Sequence, residues 1–95
     1  MYALIRQYDG LDAKTCETAT LKANTELRPI LAKSTGFVSY ELIKPGDKHD
    51  AIASISVFDT RVNAEASHKV ADDWVRTNLP SLTTPKRVAG ELVTH

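Results

Sequence analysis

Apolar and polar residues change their spacing repeatedly along this chain, and each change marks an element. Tyr2 to Tyr8 is rich in aromatic and branched residues and ends at the Asp9–Gly10 turn, which predicts a strand. From Asp12 to Ser34 the spacing becomes helical. At about 100° per residue, Cys16, Thr20, Ala23, Leu27, Ile30, Leu31 and Ser34 gather on one arc. Lys14, Thr18, Lys22, Thr25, Glu26 and Lys33 fall outside it, as a wet face should. Pro29 interrupts this pattern, lacks a backbone donor and clashes with the preceding turn, so a kink is expected near Thr25. Gly36 then offers a left-handed cap.

Phe37 to Ile43 is a second strand, and Pro45–Gly46–Asp47 breaks it. Ala51 to Phe58 is a third strand, paired with the second in an antiparallel hairpin. Thr60 is placed to cap a helix of roughly 18 residues that Pro80 stops. Ser81 to Lys86 reads as a loop and Arg87 to Val93 as a last strand.

The order is βαββαβ. Two amphipathic helices over four short strands predict an α+β, ferredoxin-like two-layer sandwich in a single domain spanning residues 1–95. Two helices cover only one face of the sheet. Yet Tyr2, Leu4 and Tyr8 alternate with Ala3 and Ile5, and Phe37 and Ile43 alternate with Val38, Tyr40 and Leu42. Apolar groups thus stand on both faces, and a bare apolar sheet face is a partner surface or a liability. The expected partner is a second copy, packed sheet to sheet as a homodimer through the open face.

Composition narrows the function classes. Twelve basic and twelve acidic residues cancel and form no block, so neither nucleic acid nor an anionic membrane is an expected partner. No segment reaches the ~18–20 apolar residues of a membrane span, and Met1–Gly10 has no long apolar run of a leader. The single cysteine, Cys16, excludes an intrachain disulfide and fits a reducing, cytoplasmic setting. It lies on the buried arc of the first helix and reads as structural. His49, His68 and His95 are far apart and lack ligand spacing, so no metal site is expected. His49 falls in a turn expected to be solvated, and His95 at an end expected to be disordered. The four glycines are scattered singly and form no phosphate loop.

Candidate chemistry concentrates between Ala51 and Leu79. With Asn63 at 0°, Trp74 lies near 20°, Ser67 near 40°, Ala71 near 80°, Ala64 near 100° and His68 near 140°, at about 100° per residue. Small residues occupy the middle of the buried arc, with Trp74 and His68 as walls about 120° apart. Two readings stand. The small stripe leaves a cavity against the sheet, or it lets the helix sit flush. His68 has the ordinary pKa to move a proton near neutrality, or it is an edge residue bonded to water or to Asp72. Trp74 is a ligand platform or core. Ser54, Ser56 and Phe58 share one strand face, where the hydroxyls bind a ligand or simply bond to neighbours. Tyr40 points its phenol into the pocket or toward the dimer interface. Asn63 orients a substrate or helps to cap the helix near Thr60.

The βαββαβ order, Gly36–Phe37 followed by Tyr40, the run SISVF, and then His68, Ala71 and Trp74 together resemble the antibiotic-biosynthesis-monooxygenase superfamily. The resemblance spans nearly the whole chain. It implies a small dimeric α/β barrel, with relatives that include cofactor-independent oxygenases of phenols and anthrones, quinol oxygenases and haem-degrading enzymes. By this resemblance His68 stands where the haem-degrading branch has an iron ligand. That branch has Trp at the end of strand three, where this chain has Phe58. It has Asn on strand one, where this chain has Arg6 and Gln7. The resemblance therefore implies a cofactor-free oxygenase that binds a small aromatic or quinone-type molecule between the sheet and the second helix. In that reading His68 or Asn63 accepts a proton and Trp74 holds the ring. A non-catalytic ligand-binding barrel is the alternative, and haem binding through His68 a weaker one.

Overall fold

The computed structural model describes residues 1–46, 50–82 and 85–93; His49 and His95 lie outside them. The elements are β1 (Tyr2–Tyr8), α1 (Ala13–Lys22), a π-helical turn (Ala23–Leu27), α2 (Arg28–Ala32), β2 (Phe37–Ile43), β3 (Ile52–Phe58), α3 (Arg61–Asn78) and β4 (Lys86–Glu91). The sheet order is β2-β3-β1-β4, with every neighbouring pair antiparallel. This is the α+β ferredoxin-like arrangement that the sequence predicts.

The first helical segment shows what Pro29 does. Asp12 caps α1 by accepting from the Thr15 backbone N–H at 2.7 Å. Four residues before Pro29 the helix widens. The Arg28 N–H reaches back five residues to the Ala23 carbonyl, and the Thr25 hydroxyl donates to the Leu21 carbonyl at 2.9 Å. The expected kink near Thr25 is thus a π turn. Wider turns lengthen the core repeat to four residues, so Ala23, Leu27 and Leu31 face inward. Ile30, expected on the buried arc, is 42% exposed, and Ala19 takes an inward position instead.

The second helix follows its 3.6-residue repeat without interruption. Thr60 caps α3 by accepting from the Asn63 N–H at 3.2 Å, and the Leu79 N–H closes the last turn on Val75 at 2.7 Å, just before Pro80. Ala64, Ser67, Ala71, Trp74 and Val75 are buried, as the angular placement predicts. The last strand is shorter than its expected span to Val93. Its pairing with β1 ends at Glu91 opposite Tyr2, because β1 begins there, and one further bond joins the Leu92 N–H to the Met1 carbonyl at 2.9 Å.

Gly36 (φ +78°) turns the chain into β2, and a Cβ there would collide with the Asp59 carboxylate and the Asn63 amide. The core joins the first helical segment to α3 over the sheet, with Cys16, Leu31, Tyr40, Ile52 and Trp74 among its members. The Cys16 thiol donates to the Ala51 carbonyl at 3.1 Å, consistent with a structural role. The register fixes strand parity. Arg6 on β1 stands beside Ser54 of β3 and Arg87 of β4, and Leu4 stands beside Ser56. No helix among the described residues is long and apolar enough to cross a membrane.

Candidate functional site

A cavity of about 40 Å³, partly open to solvent, lies between the sheet and the helices; the atom-free space around it, open solvent included, is about 560 Å³. The cavity itself has room for roughly three waters at ~10–15 Å³ each. Both readings of the small-residue stripe hold, at different points along α3. Ala64 is fully buried and lies outside the cavity lining, whereas Ser67 and Ala71 line it. His68 and Trp74 are two of its walls, Tyr40, Ser54 and Ser56 line it from the sheet, and Ala23 and Leu27 line it from the π turn.

Seven of the nine sequence-predicted site residues therefore meet, and two do not. Phe58 is fully buried in an edge-on contact with Phe37, centroids 5.8 Å apart, and does not line the cavity. Asn63 also lies outside it. Its amide donates to the Asp59 carboxylate at 2.8 Å at the Gly36 corner, which corrects its expected place beside a substrate. The corner needs a donor for Asp59 where the missing Gly36 Cβ leaves room. Tyr40 faces the cavity, not the open side of the sheet. Burial pushes its phenol up to about 12, opposed by Arg28 and Arg6. The Arg28 guanidinium lies 5.2 Å from its ring centroid. Ser67 donates to the Ala64 carbonyl at 2.7 Å.

The most unusual group is one the sequence reading passed over. Arg6, on the helix-facing side of β1, is only 6% exposed. Its Nη2 approaches His68 Nδ1 at 2.6 Å and donates to the His68 backbone carbonyl at 2.8 Å. Arg87 Nη1 lies against His68 Nε2 on the other side of the ring. Asp72, the expected partner of His68, instead pairs with Arg76. Burial is the largest influence holding His68 below its ordinary pKa, followed by Arg6 and then Arg87; Asp72 opposes them weakly. The imidazole is therefore neutral at neutral pH. Burial also raises the Tyr8 phenol, with the Arg6 guanidinium opposing.

These residues do not fit haem. Both ring nitrogens of His68 face guanidinium groups, so an iron cation bound to either would stand against a fixed positive charge. Among the described residues no group of three or more His, Cys, Asp or Glu side chains is arranged to hold a metal ion.

Fold and cavity together define the class by shape: an α+β ferredoxin-like sandwich with a cavity between its sheet and its helices. Known structures with this fold superpose on 99% of the chain. A putative antibiotic biosynthesis monooxygenase from Nitrosomonas europaea matches with a TM-score of 0.77 at 18% identity, covering 99% of this chain and 100% of the other. A variant of SnoaB, a cofactor-independent oxygenase from Streptomyces nogalater, matches at 0.74 and 14% identity, covering 99% and 94%. A dimeric ferredoxin-like protein from an uncultured marine organism matches at 0.74 and 12% identity, covering 99% and 95%. No protein-family model and no curated protein matches the sequence.

Proposed function

We propose that the protein is a cofactor-independent, oxygenase-like enzyme that binds a small aromatic or quinone-type molecule between the sheet and α3. The observation that carries this reading is one cavity with an acid–base group and an aromatic wall together, His68 and Trp74, in a fold shared with a cofactor-independent oxygenase. Trp74 and the apolar lining hold the ring. The neutral His68 accepts a proton from an activated phenol or benzylic C–H at the ring nitrogen from which a guanidinium turns to the substrate, and the substrate's own anion reduces O₂. With an anthrone, one oxygen atom becomes the new quinone carbonyl and the other leaves as water. The cavity is small, so a ring enters only as the lining gives way. The π turn at Ala23–Leu27, whose hydrogen bonds depart from the α pattern, is the wall best suited to do so.

The test is O₂ uptake with anthrone as substrate. His68→Ala should reduce turnover at least roughly a hundredfold, the lower end for a lost general base, and Trp74→Ala should reduce it by weakening the hold on the ring. Turnover unchanged in the double variant sinks the assignment. The small cavity volume favours one other reading, a binding protein without catalysis. It is recognised by saturable anthrone binding with no oxygen consumption. The functional unit we propose is a homodimer through the open sheet face, a reading supported by the apolar residues there and by the dimeric structural relative.

A further inference from the structure

Arg6 and Arg87 are direct cross-strand neighbours, both on the face of the sheet turned toward α3. Like charges in that position repel, and a buried one also gives up its water. Among the described residues no carboxylate pairs with either of them. Of the nearby carboxylates, Asp72 pairs with Arg76 and Glu65 with Arg61.

The imidazole between them cannot satisfy both. A neutral histidine has one accepting nitrogen, an imidazolium has none, and a guanidinium only donates. Arg6 stands at Nδ1 and Arg87 at Nε2. In either neutral tautomer, one of these contacts sets donor against donor. One guanidinium therefore lacks an acceptor at the ring, whichever nitrogen carries the proton.

The space at this point is double. Arg6 and His68 line the interior cavity, and together with Arg87 they also line an outer groove of about 220 Å³ with Leu4, Val88 and Ala89 beside them and Glu65, paired with Arg61, at its side. Arg6 and His68 are thus the wall shared by the groove and the proposed ring pocket, with Arg87 on the groove side of it. We propose that this wall recognises an anionic oxygen, so that the ligand is an aromatic acid whose carboxylate takes up the guanidinium donors of Arg6 and Arg87. A carboxylate matches the planar fork of an arginine with two parallel bonds and supplies the missing negative charge. This inference rests on the aromatic-pocket reading and adds the ligand's charge to it.

The experiment measures binding of benzoate, benzamide and phenol at pH 7.5 by calorimetry, with the fluorescence of Trp74 as a second readout. Benzoate and benzamide share size and shape but differ in charge. Benzoate should bind at least tenfold more tightly than either neutral ring, and added salt should erode that advantage. Arg87→Gln, at an exposed position, and Arg6→Gln should each reduce the preference for benzoate over benzamide at least fivefold. Should Arg6→Gln fail to fold, Arg87→Gln still decides. Equal binding of benzoate and benzamide, an undiminished preference in Arg87→Gln, or phenol binding as well as benzoate overturns the inference but leaves the aromatic pocket standing. If none of the three binds, the pocket reading falls and this inference with it.

Discussion

Each face of the sheet carries some residues expected of the other. The face under the helices holds Arg6, Ser54 and Ser56 in strand positions that a simple core would fill with valine or leucine. By strand parity the face without helices carries Ile5, Ile55 and Val57 in the centre, with Ile43 and Val88 toward its edges and Gln7 and Glu41 among them. Val88 is 66% exposed. Polar groups under the helices accord with the ligand site proposed there, and apolar groups on the open side with the partner copy proposed for it.

The largest effect should come from breaking the open face. Ile55→Asp places a carboxylate in the middle of that face, and in a symmetric dimer it does so twice. An unpaired charge buried there costs about 3–5 kcal/mol, about 6–10 kcal/mol for the two, so dimer dissociation should rise at least roughly 10⁴-fold. Sedimentation at micromolar concentration should show a dimer for the native chain and a monomer for the variant. A native chain that sediments as a monomer removes the contrast between the faces.

A smaller effect, of opposite sign, is expected on the covered face. Ser56→Val puts a methyl group into the cavity and suits a strand, so it should stabilise by about 0.5–2 kcal/mol in urea unfolding. The same substitution should weaken benzoate binding. Lower stability would mean that the Ser56 hydroxyl is part of the packing and not of a site.

The smallest effect is in pH. The folded-state pKa of His68 lies below its ordinary 6.5, so between the two values the unfolded chain binds more protons than the folded one. Stability should therefore fall as pH drops through 6.5 toward the folded value, and this contribution should level off below it. The groups facing the ring are Arg6 and Tyr8 from β1, Arg87 from β4, and Glu65 and Asp72 on α3. Melting temperatures between pH 7.5 and 5 should decline less in His68→Gln than in the native chain. Parallel curves would show that the two guanidinium groups leave the histidine's proton affinity unchanged.

What the sequence reveals depends on whether local rules hold. The angular placement of α3 holds because its 3.6-residue repeat is unbroken, so the walls at His68 and Trp74 and the floor at Ser67 and Ala71 were readable in advance. In the first helical segment the same arithmetic misplaces Ile30, because the π turn changes the repeat. Ser54 and Ser56 were legible from strand alternation alone. Arg6 had a signal that went unused: it sits between Leu4 and Tyr8 on the same face of β1. Arg87 had none, since its place beside Arg6 follows from the pairing of β1 with β4, residues far apart in the chain. Asn63 and Phe58 lie on the expected elements, but tertiary contacts at the Gly36 corner and with Phe37 claim them.

The π turn also makes chain length matter at an unexpected place. A loop absorbs a one-residue insertion or deletion at little cost, because its ends remain where they were. Between Ala23 and Leu27 the same change resets the rotation of everything up to Ala32, by about 100° per residue. Leu31 would turn out of the core and a different side chain would take its place against the sheet. Deletion of a single codon in this short stretch is thus a repacking of the whole first layer, and tolerance to such deletions should be lower here than at the Asp9–Gly10 turn.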